Sequence, residues 1–259
     1  LDKIPQQNQS ALTSLFNFAA QLYPSLKGEI AGHNDTCITV GKDNHQVLKE
    51  LYEYWRVSCP EAGQPYWSIR SWTMLVWQPI FLAVMGVHGV GIVPSLTAIS
   101  QKMERGMVVG FSLPDANFQK GPEQELIVLA GKGLRLLSDV LLEEFNRITR
   151  VRRVSAMRLV ADTLLSTINQ LGQTKLEISN REILALGSQW LTAMELVNES
   201  ALMPILLTDG REQLVLNRKG CCMHYLRDDG DLCASCPKQK MPVRIQRLRE
   251  EWDGHAGIG

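Results

Sequence analysis

The chain has 259 residues, 45% of them apolar, which is enough to bury a substantial core in one large domain or two modest ones and excludes a disordered protein. Lys plus Arg and Asp plus Glu number 27 each, so the formal net charge is zero. There is no global pull toward nucleic acid, and any electrostatic docking has to be local.

No secretory signal is legible in Leu1 to Gln9, because no basic stretch leads into an apolar one there. A cytoplasmic location is therefore expected, where thiols stay reduced and clustered cysteines serve as metal ligands rather than disulfides. Cys37 and Cys59 stand apart from the other four cysteines and read as ordinary buried thiols.

Helical periodicity dominates the first hundred residues. Leu12, Leu15, Phe16, Ala19, Leu22 and Tyr23 make one apolar face, and Val47, Leu48, Leu51, Tyr52 and Trp55 make another. Between them Thr36–Val40, bounded by Asn34-Asp35 and Gly41, reads as a short strand. No charged residue occurs from Ser71 to Ser100, and Met74–Val93 is long enough to cross a bilayer. Gln78, Pro79, Gly86, His88, Gly89 and Gly91 interrupt that run, and no basic cluster flanks it closely. The expectation is a buried helix ending near Gly86, then a glycine-rich turn and a strand, with no integral membrane segment. Peripheral membrane contact is compatible with this reading.

Gly106–Leu113 reads as a second strand, and Pro114–Pro122 as a loop or domain boundary. Helices follow at Leu134–Phe145 and, with Val151, Val154, Met157, Ala161, Leu164, Leu165 and Ile168 on one face, further on. A third begins at the capping box Ser179-Asn-Arg-Glu182 and carries Ile183, Leu186, Trp190, Met194 and Val197. Two apolar runs around Asp209-Gly210 predict a β-hairpin. Pro237 is expected in the first turn of a closing helix with Val243, Ile245, Leu248 and Trp252 on its apolar side.

Between hairpin and closing helix lie Cys221, Cys222, Cys233 and Cys236, spaced Cys-Cys-x10-Cys-x2-Cys, with Asp228-Asp229-Gly230 as a turn that brings the two pairs together. Four soft sulfur donors suit zinc or an iron–sulfur cluster and suit magnesium, calcium or manganese poorly. A tetrahedral zinc module usually has two knuckles, each with two to four residues between its cysteines, and only Cys233 and Cys236 comply. Adjacent Cys221 and Cys222 diverge, which two metal corners tolerate better than one. The spacing is also unlike the plant-type and bacterial ferredoxin runs. Chemistry alone leaves both iron–sulfur and structural zinc open.

The segment Arg218-Lys-Gly-Cys221-Cys222-Met-His-Tyr225-Leu-Arg227, closed by Cys233-Ala-Ser-Cys236-Pro237, resembles the C-terminal signature of the FhuF family of ferric siderophore reductases. The resemblance is clearest over the C-terminal two fifths of the chain; upstream it extends in pattern to Trp67–Trp72 and the apolar run to Val84. It implies a [2Fe-2S] cluster held by Cys221, Cys222, Cys233 and Cys236 as iron ligands. It further implies one-electron reduction of a ferric siderophore to release Fe(II), with an external electron donor of the ferredoxin or reductase class. His224 is not part of the resemblance and is weighed equally as a functional residue and as loop packing. Tyr225 reads mainly as packing.

Competing readings are a zinc-stabilised siderophore-binding or interaction protein without redox chemistry, and an electron carrier for another acceptor. No Rossmann or Walker motif suggests that the chain binds a nicotinamide or nucleotide itself. Arg147, Arg150, Arg152, Arg153 and Arg158 form a basic run that reads as a solvated face or as a dock for an acidic donor or an anionic siderophore. Trp55, Trp67, Trp72 and Trp77, with Arg70 and His88, are expected mostly in the core, with a siderophore pocket as the alternative. Arg218, Lys219 and Arg227 oppose Asp228, Asp229 and Asp231, so the charges near the cysteines cancel on paper. The expected fold is α+β and predominantly α-helical, with a few short antiparallel strands and a C-terminal hairpin leading into a metal-cluster loop. It divides into 1–113 and 123–259, a division also compatible with one compact domain.

Overall fold

The computed structural model describes residues 6–32, 36–114 and 117–255. The fold is α+β and mostly helical. In chain order the elements are α1 (Gln6–Leu22), β1 (Gly28–Ile30), β2 (Cys37–Thr39), α2 (His45–Ser58), α3 (Gly63–Met85), β3 (Ile92–Pro94), β4 (Ser100–Glu104), β5 (Met107–Leu113) and β6 (Phe118–Lys120). Then come α4 (Glu123–Phe145), α5 (Arg153–Leu171), α6 (Asn180–Ala193), β7 (Ala201–Leu206), β8 (Glu212–Asn217) and α7 (Met241–His255).

The uncharged stretch becomes α3, the axis of the fold. Tyr66, Trp72, Leu75, Ile80 and Met85 are all buried on it, and α1, α2, α4 and α5 pack around it. The helical span Pro60–Val90 is long and apolar enough to cross a membrane by length and composition, but the fold buries 61% of its apolar window. Trp72 is fully buried and its indole N–H donates to the Ala156 carbonyl at 3.0 Å, which locks α3 to α5.

Pro79 lies inside α3, where it cannot supply the N–H that an unbroken helix would direct at the carbonyl of Leu75. That carbonyl is not orphaned. The Gln101 side-chain amide, from β4, donates to it at 2.9 Å, while buried Gln78 donates to Gln101 Oε1 and to the Gly110 carbonyl, each at 3.2 Å. The proline is thus compensated by the sheet next to it. Gln101→Leu is expected to cost about 1–3 kcal/mol, because it strands a buried acceptor. A urea midpoint equal to that of the parent would refute this account of how α3 passes through Pro79.

The main sheet has the order β1-β5-β4-β2, with a bulge between Gln101 and Met103 in the β4–β5 ladder. Its β1–β5 pair is parallel, where antiparallel strands alone are expected from the sequence. β3 and β6 form a separate antiparallel pair, so the expected loop 114–122 contains a strand. Asn34 and Asp35, expected to bound β2, lie outside the described residues. The hairpin β7–β8 forms as expected, with Ala201 opposite Asn217 and Leu206 opposite Glu212.

Three helix boundaries differ from expectation. α4 begins already at Glu123. Val197 lies beyond the end of α6 and is exposed, because Glu195 and Asn198 adopt positive φ and turn the chain toward β7. Pro237 stays in the cysteine loop, and Pro242 takes the first turn of α7 instead. Of the residues expected on the apolar side of α7, Leu248 is buried, Ile245 and Trp252 pack partly against the hairpin residues Ile205 and Val215, and Val243 is exposed.

Candidate metal centre

The cysteine loop is anchored at its first turn to α5. Gly220 is buried so close to that helix that an added Cβ would stand 3.0 Å from Asp162 Oδ2 and 3.1 Å from a Leu159 methyl. Arg218 reaches the same carboxylate through Nε at 3.1 Å, and the Ser200 hydroxyl donates to it at 2.6 Å. Asp162 is 3% exposed, and with the Gly220 N–H it has three donors around it. An acceptor-only carboxylate suits that surrounding.

From this anchor the chain passes Cys221 and Cys222, turns at Met223 (φ 57°), and makes one tight helical turn over His224–Leu226. Arg227 N–H donates to the His224 carbonyl at 3.1 Å and Gly230 N–H to the Arg227 carbonyl at 3.0 Å, so the loop folds back on itself. A second turn, closed by Cys236 N–H to the Cys233 carbonyl at 2.9 Å, sets the last two cysteines on one knuckle. The knuckle is held from α7: Gln239 donates to the Cys233 carbonyl at 2.8 Å and accepts from Arg247 at 2.8 Å.

The loop sets the four thiols in two pairs, and among the described residues no three His, Cys, Asp or Glu side chains converge on one metal-sized site. Cys222 makes a side-chain hydrogen bond with Cys233, and Cys221 one with Cys236. The backbone N–H groups of Met223 and His224 point at the sulfurs of Cys221 and Cys222, respectively. Cys233 receives two further weak donors, Arg218 Nη1 and Ser235 Oγ, each at 3.9 Å. Within the pair, the bond from Cys233 holds Cys222 down at about 5, while the same bond and burial push Cys233 up. Cys221 is raised, chiefly by burial. Cys236 is buried, and the other three cysteines are half-buried.

The charges do not cancel as they do on paper. Asp229 is spent on Arg227 in a two-pronged ion pair at 2.7 Å, Asp228 and Asp231 are exposed, and Lys219 turns away to the Asn198 carbonyl. What stays close to sulfur is Arg218 and, from α7, Arg244, which is 5% exposed and donates to the Arg218 carbonyl at 3.5 Å. Burial opposes charge on both. In Arg218 the pull of Asp162, then of Cys222 and Cys233, outweighs it; in Arg244 burial prevails and the guanidinium is pulled down. A half-buried guanidinium, Arg218, and a buried one, Arg244, thus lie near the sulfurs beside one buried carboxylate. Asp162 and Ser200 lie well upstream of the motif in sequence, and Arg244 follows it on α7. The available signal was a charged residue inside an apolar helix face, as at Asp162 between Ala161 and Leu164.

Around the loop, Tyr225 lies under the Lys238 ammonium at 5.0 Å, and exposed His224 leans on buried Tyr66 with ring centroids 6.4 Å apart. The tryptophans do not converge on a pocket. The indole N–H groups of Trp55, Trp67 and Trp77 are spent on the carbonyls of Gly106, Cys59 and Val108, and Arg70 stacks over Trp55 at 4.8 Å. His88 sits between Trp190, which donates to its Nε2 at 2.9 Å, and Glu123 at 3.1 Å from its Nδ1. Burial lowers its pKa, as expected of a neutral core imidazole. Cys59 is buried and Cys37 half-buried.

Four soft donors in two facing pairs, with N–H groups aimed at the sulfurs, fit a group that has two metal corners and accepts hydrogen bonds at sulfur. An iron–sulfur centre and a four-cysteine zinc site share this donor set. Residues 218–238 match the family model described as the FhuF 2Fe-2S C-terminal domain, and Cys221, Cys222, Cys233 and Cys236 occupy its motif positions. The group that belongs to this site is a [2Fe-2S] cluster. No solved structure matches the fold.

Proposed function

We propose that the protein is a ferric siderophore reductase of the cytoplasm, in which Cys221, Cys222, Cys233 and Cys236 hold the cluster. The observation that carries this reading is the pair-by-pair meeting of the four thiols inside the matched segment. When bound, the cluster supplies single electrons. One electron converts Fe(III) in the siderophore to Fe(II), which oxygen donors hold less well, so the metal is released. An external donor, a ferredoxin-like protein or a reductase, restores the electron.

The chain's own residues set the conditions for that transfer. Cys221, Cys222, Cys233 and Cys236 would hold the cluster, so the loop turn at Gly230 and the α7 clamp fix the site together. Arg218 and Arg244, with the two backbone N–H groups, favour additional negative charge at sulfur, and Asp162 moderates them. The exposed His224 turn leaves this edge of the loop open to a partner.

The test is an anaerobic single turnover of reduced protein with a panel of ferric siderophores, with Fe(II) trapped by a ferrous chelator. Visible absorption that bleaches on reduction, followed by trapped Fe(II), is the expected result. A colourless protein with one bound zinc would end the reductase reading. Bleaching without Fe(II) from any siderophore would make the protein an electron carrier for another acceptor.

A further inference from the structure

An open cleft of about 500 Å³ lies directly beside the cysteine loop. Its walls are Gln64, Pro65, Ser68 and Ile69 from the start of α3, residues 150–152 and Ser155 from the α4–α5 junction, and Met223. Met223 follows Cys222 directly, and neighbouring Cα atoms are about 3.8 Å apart, so a molecule in the cleft touches the residue next to a motif cysteine. Four other clefts, of about 730 Å³, 520 Å³, 250 Å³ and 220 Å³, include no residue of the 218–238 segment, and the second of them shares Arg150, Val151 and Arg152 with this one. The largest of them is bordered by Lys27, Glu29, Lys102 and Glu104, a balanced set of charges.

The cleft beside Met223 is not balanced. No acidic side chain lines it, and Arg150 and Arg152 are exposed at its rim. Neighbouring arginines are neutralised locally, Arg153 by Asp139 at 2.7 Å and Arg158 by Glu199 at 3.1 Å. Among the described residues no ion pair or side-chain hydrogen bond engages Arg150 or Arg152. Ser68 and Thr149 share a hydrogen bond at 2.8 Å behind them, which adds neutral polar groups to the floor. Two free guanidiniums on a concave wall without a counter-charge concentrate anions of matching size. Its volume falls within the usual range of small-ligand sites, about 300–1,000 Å³.

We propose that this cleft binds the metal chelate and selects chelates of net negative charge, with Arg150 and Arg152 as the selecting residues. The proposal rests on the reductase reading for the identity of the metal but not for the charge. A gallium chelate, which takes up no electron from the protein, separates the two. The trianionic Ga(III) tris-catecholate and the neutral Ga(III) tris-acetohydroxamate are titrated by calorimetry into the cluster-loaded protein and into an Arg150→Ala/Arg152→Ala variant.

The anionic probe is expected to bind the parent more tightly and to lose about tenfold or more in the variant, given what charged hydrogen bonds contribute. The neutral probe should change little. Ser155→Phe, which fills the cleft from a half-exposed position, should weaken both. No binding of the anionic probe to the parent, or equal affinity of parent and variant for it, overturns the proposal. If the variant keeps its affinity for the probe but is reduced more slowly by a protein donor, the two arginines serve donor docking, and the proposal fails as well. Failure of the reductase reading shows separately, as binding of the probe by a protein that releases Fe(II) from no siderophore of the panel.

Discussion

Arg218→Met is expected to lower the stability of the protein by about 3 kcal/mol at neutral pH, the lower end of what breaking a buried ion pair costs. At this chain size that is a fall of roughly 6–12 °C in the unfolding midpoint. Arg218 is the charged partner of a carboxylate that is 3% exposed, and its own side chain is 18% exposed, so solvent cannot substitute for the lost guanidinium. What remains around Asp162 is the Ser200 hydroxyl and the Gly220 N–H. These satisfy hydrogen-bonding capacity but leave the charge unmatched.

The sign of the pH dependence follows from the same site. Burial pushes the Asp162 carboxyl up, and Arg218 is the strongest of the influences that pull it down. Without Arg218 the carboxyl rises further. A carboxyl raised in the folded state supports folding below its unfolded value and loses that contribution as pH rises through the folded value. The cost of Arg218→Met should therefore be small in acid and grow toward neutrality. Adding Asp162→Asn should recover most of it and flatten the profile, since removing both charges of a buried pair is often nearly neutral. Unfolding midpoints of the single and double variants across pH check this, and a double variant no better than Arg218→Met would show that the pair is not what the loop rests on.

The parts of the fold legible in the sequence are those that close locally. Ser179 and Glu182 form the expected capping box, with Ser179 N–H to Glu182 Oε2 at 2.8 Å and Glu182 N–H to Ser179 Oγ at 3.3 Å. Asp209-Gly210 closes the hairpin, and the cysteine spacing declares itself within a few turns of chain. β1 and β4 are not legible in the sequence, because three to five residues of mixed polarity carry little alternation and their pairing with β5 is decided by the rest of the fold. The electrostatics of the centre were unreadable for a related reason. Charge adjacency in sequence gave equal weight to exposed Asp228 and Asp231, whereas burial, which fixes the dielectric, gives the weight to Asp162, Arg218 and Arg244. The tryptophans were legible as core, but their carbonyl partners, such as Ala156 for Trp72, come from other elements.

Two substitutions should remove the cluster by different routes, and the difference tests whether the loop fold or the thiols alone define the site. Cys236→Ser replaces the buried thiol of the knuckle, deleting a soft donor, and the bound iron and visible absorption are expected to fall to about a tenth or less. Gly230→Ala keeps all four thiols. The new Cβ would stand far inside contact distance of the His224 carbonyl oxygen and 3.2 Å from the Arg227 Cβ. Backbone oxygen cannot swing aside like a side-chain tip, so the turn over His224–Leu226 has to open. That turn sets the position of Cys222 relative to Cys233, and an offset of about 1 Å is enough to spoil a ligand set. Cluster content should therefore drop severalfold in Gly230→Ala while all six thiols remain titratable in the denatured protein. Gly133→Ala, where an added Cβ meets nothing within 4 Å, is the matching control and should load normally. Full loading of Gly230→Ala would mean that the loop adapts freely around the cluster, and the meeting of the two cysteine pairs would then be imposed by the metal rather than by the fold.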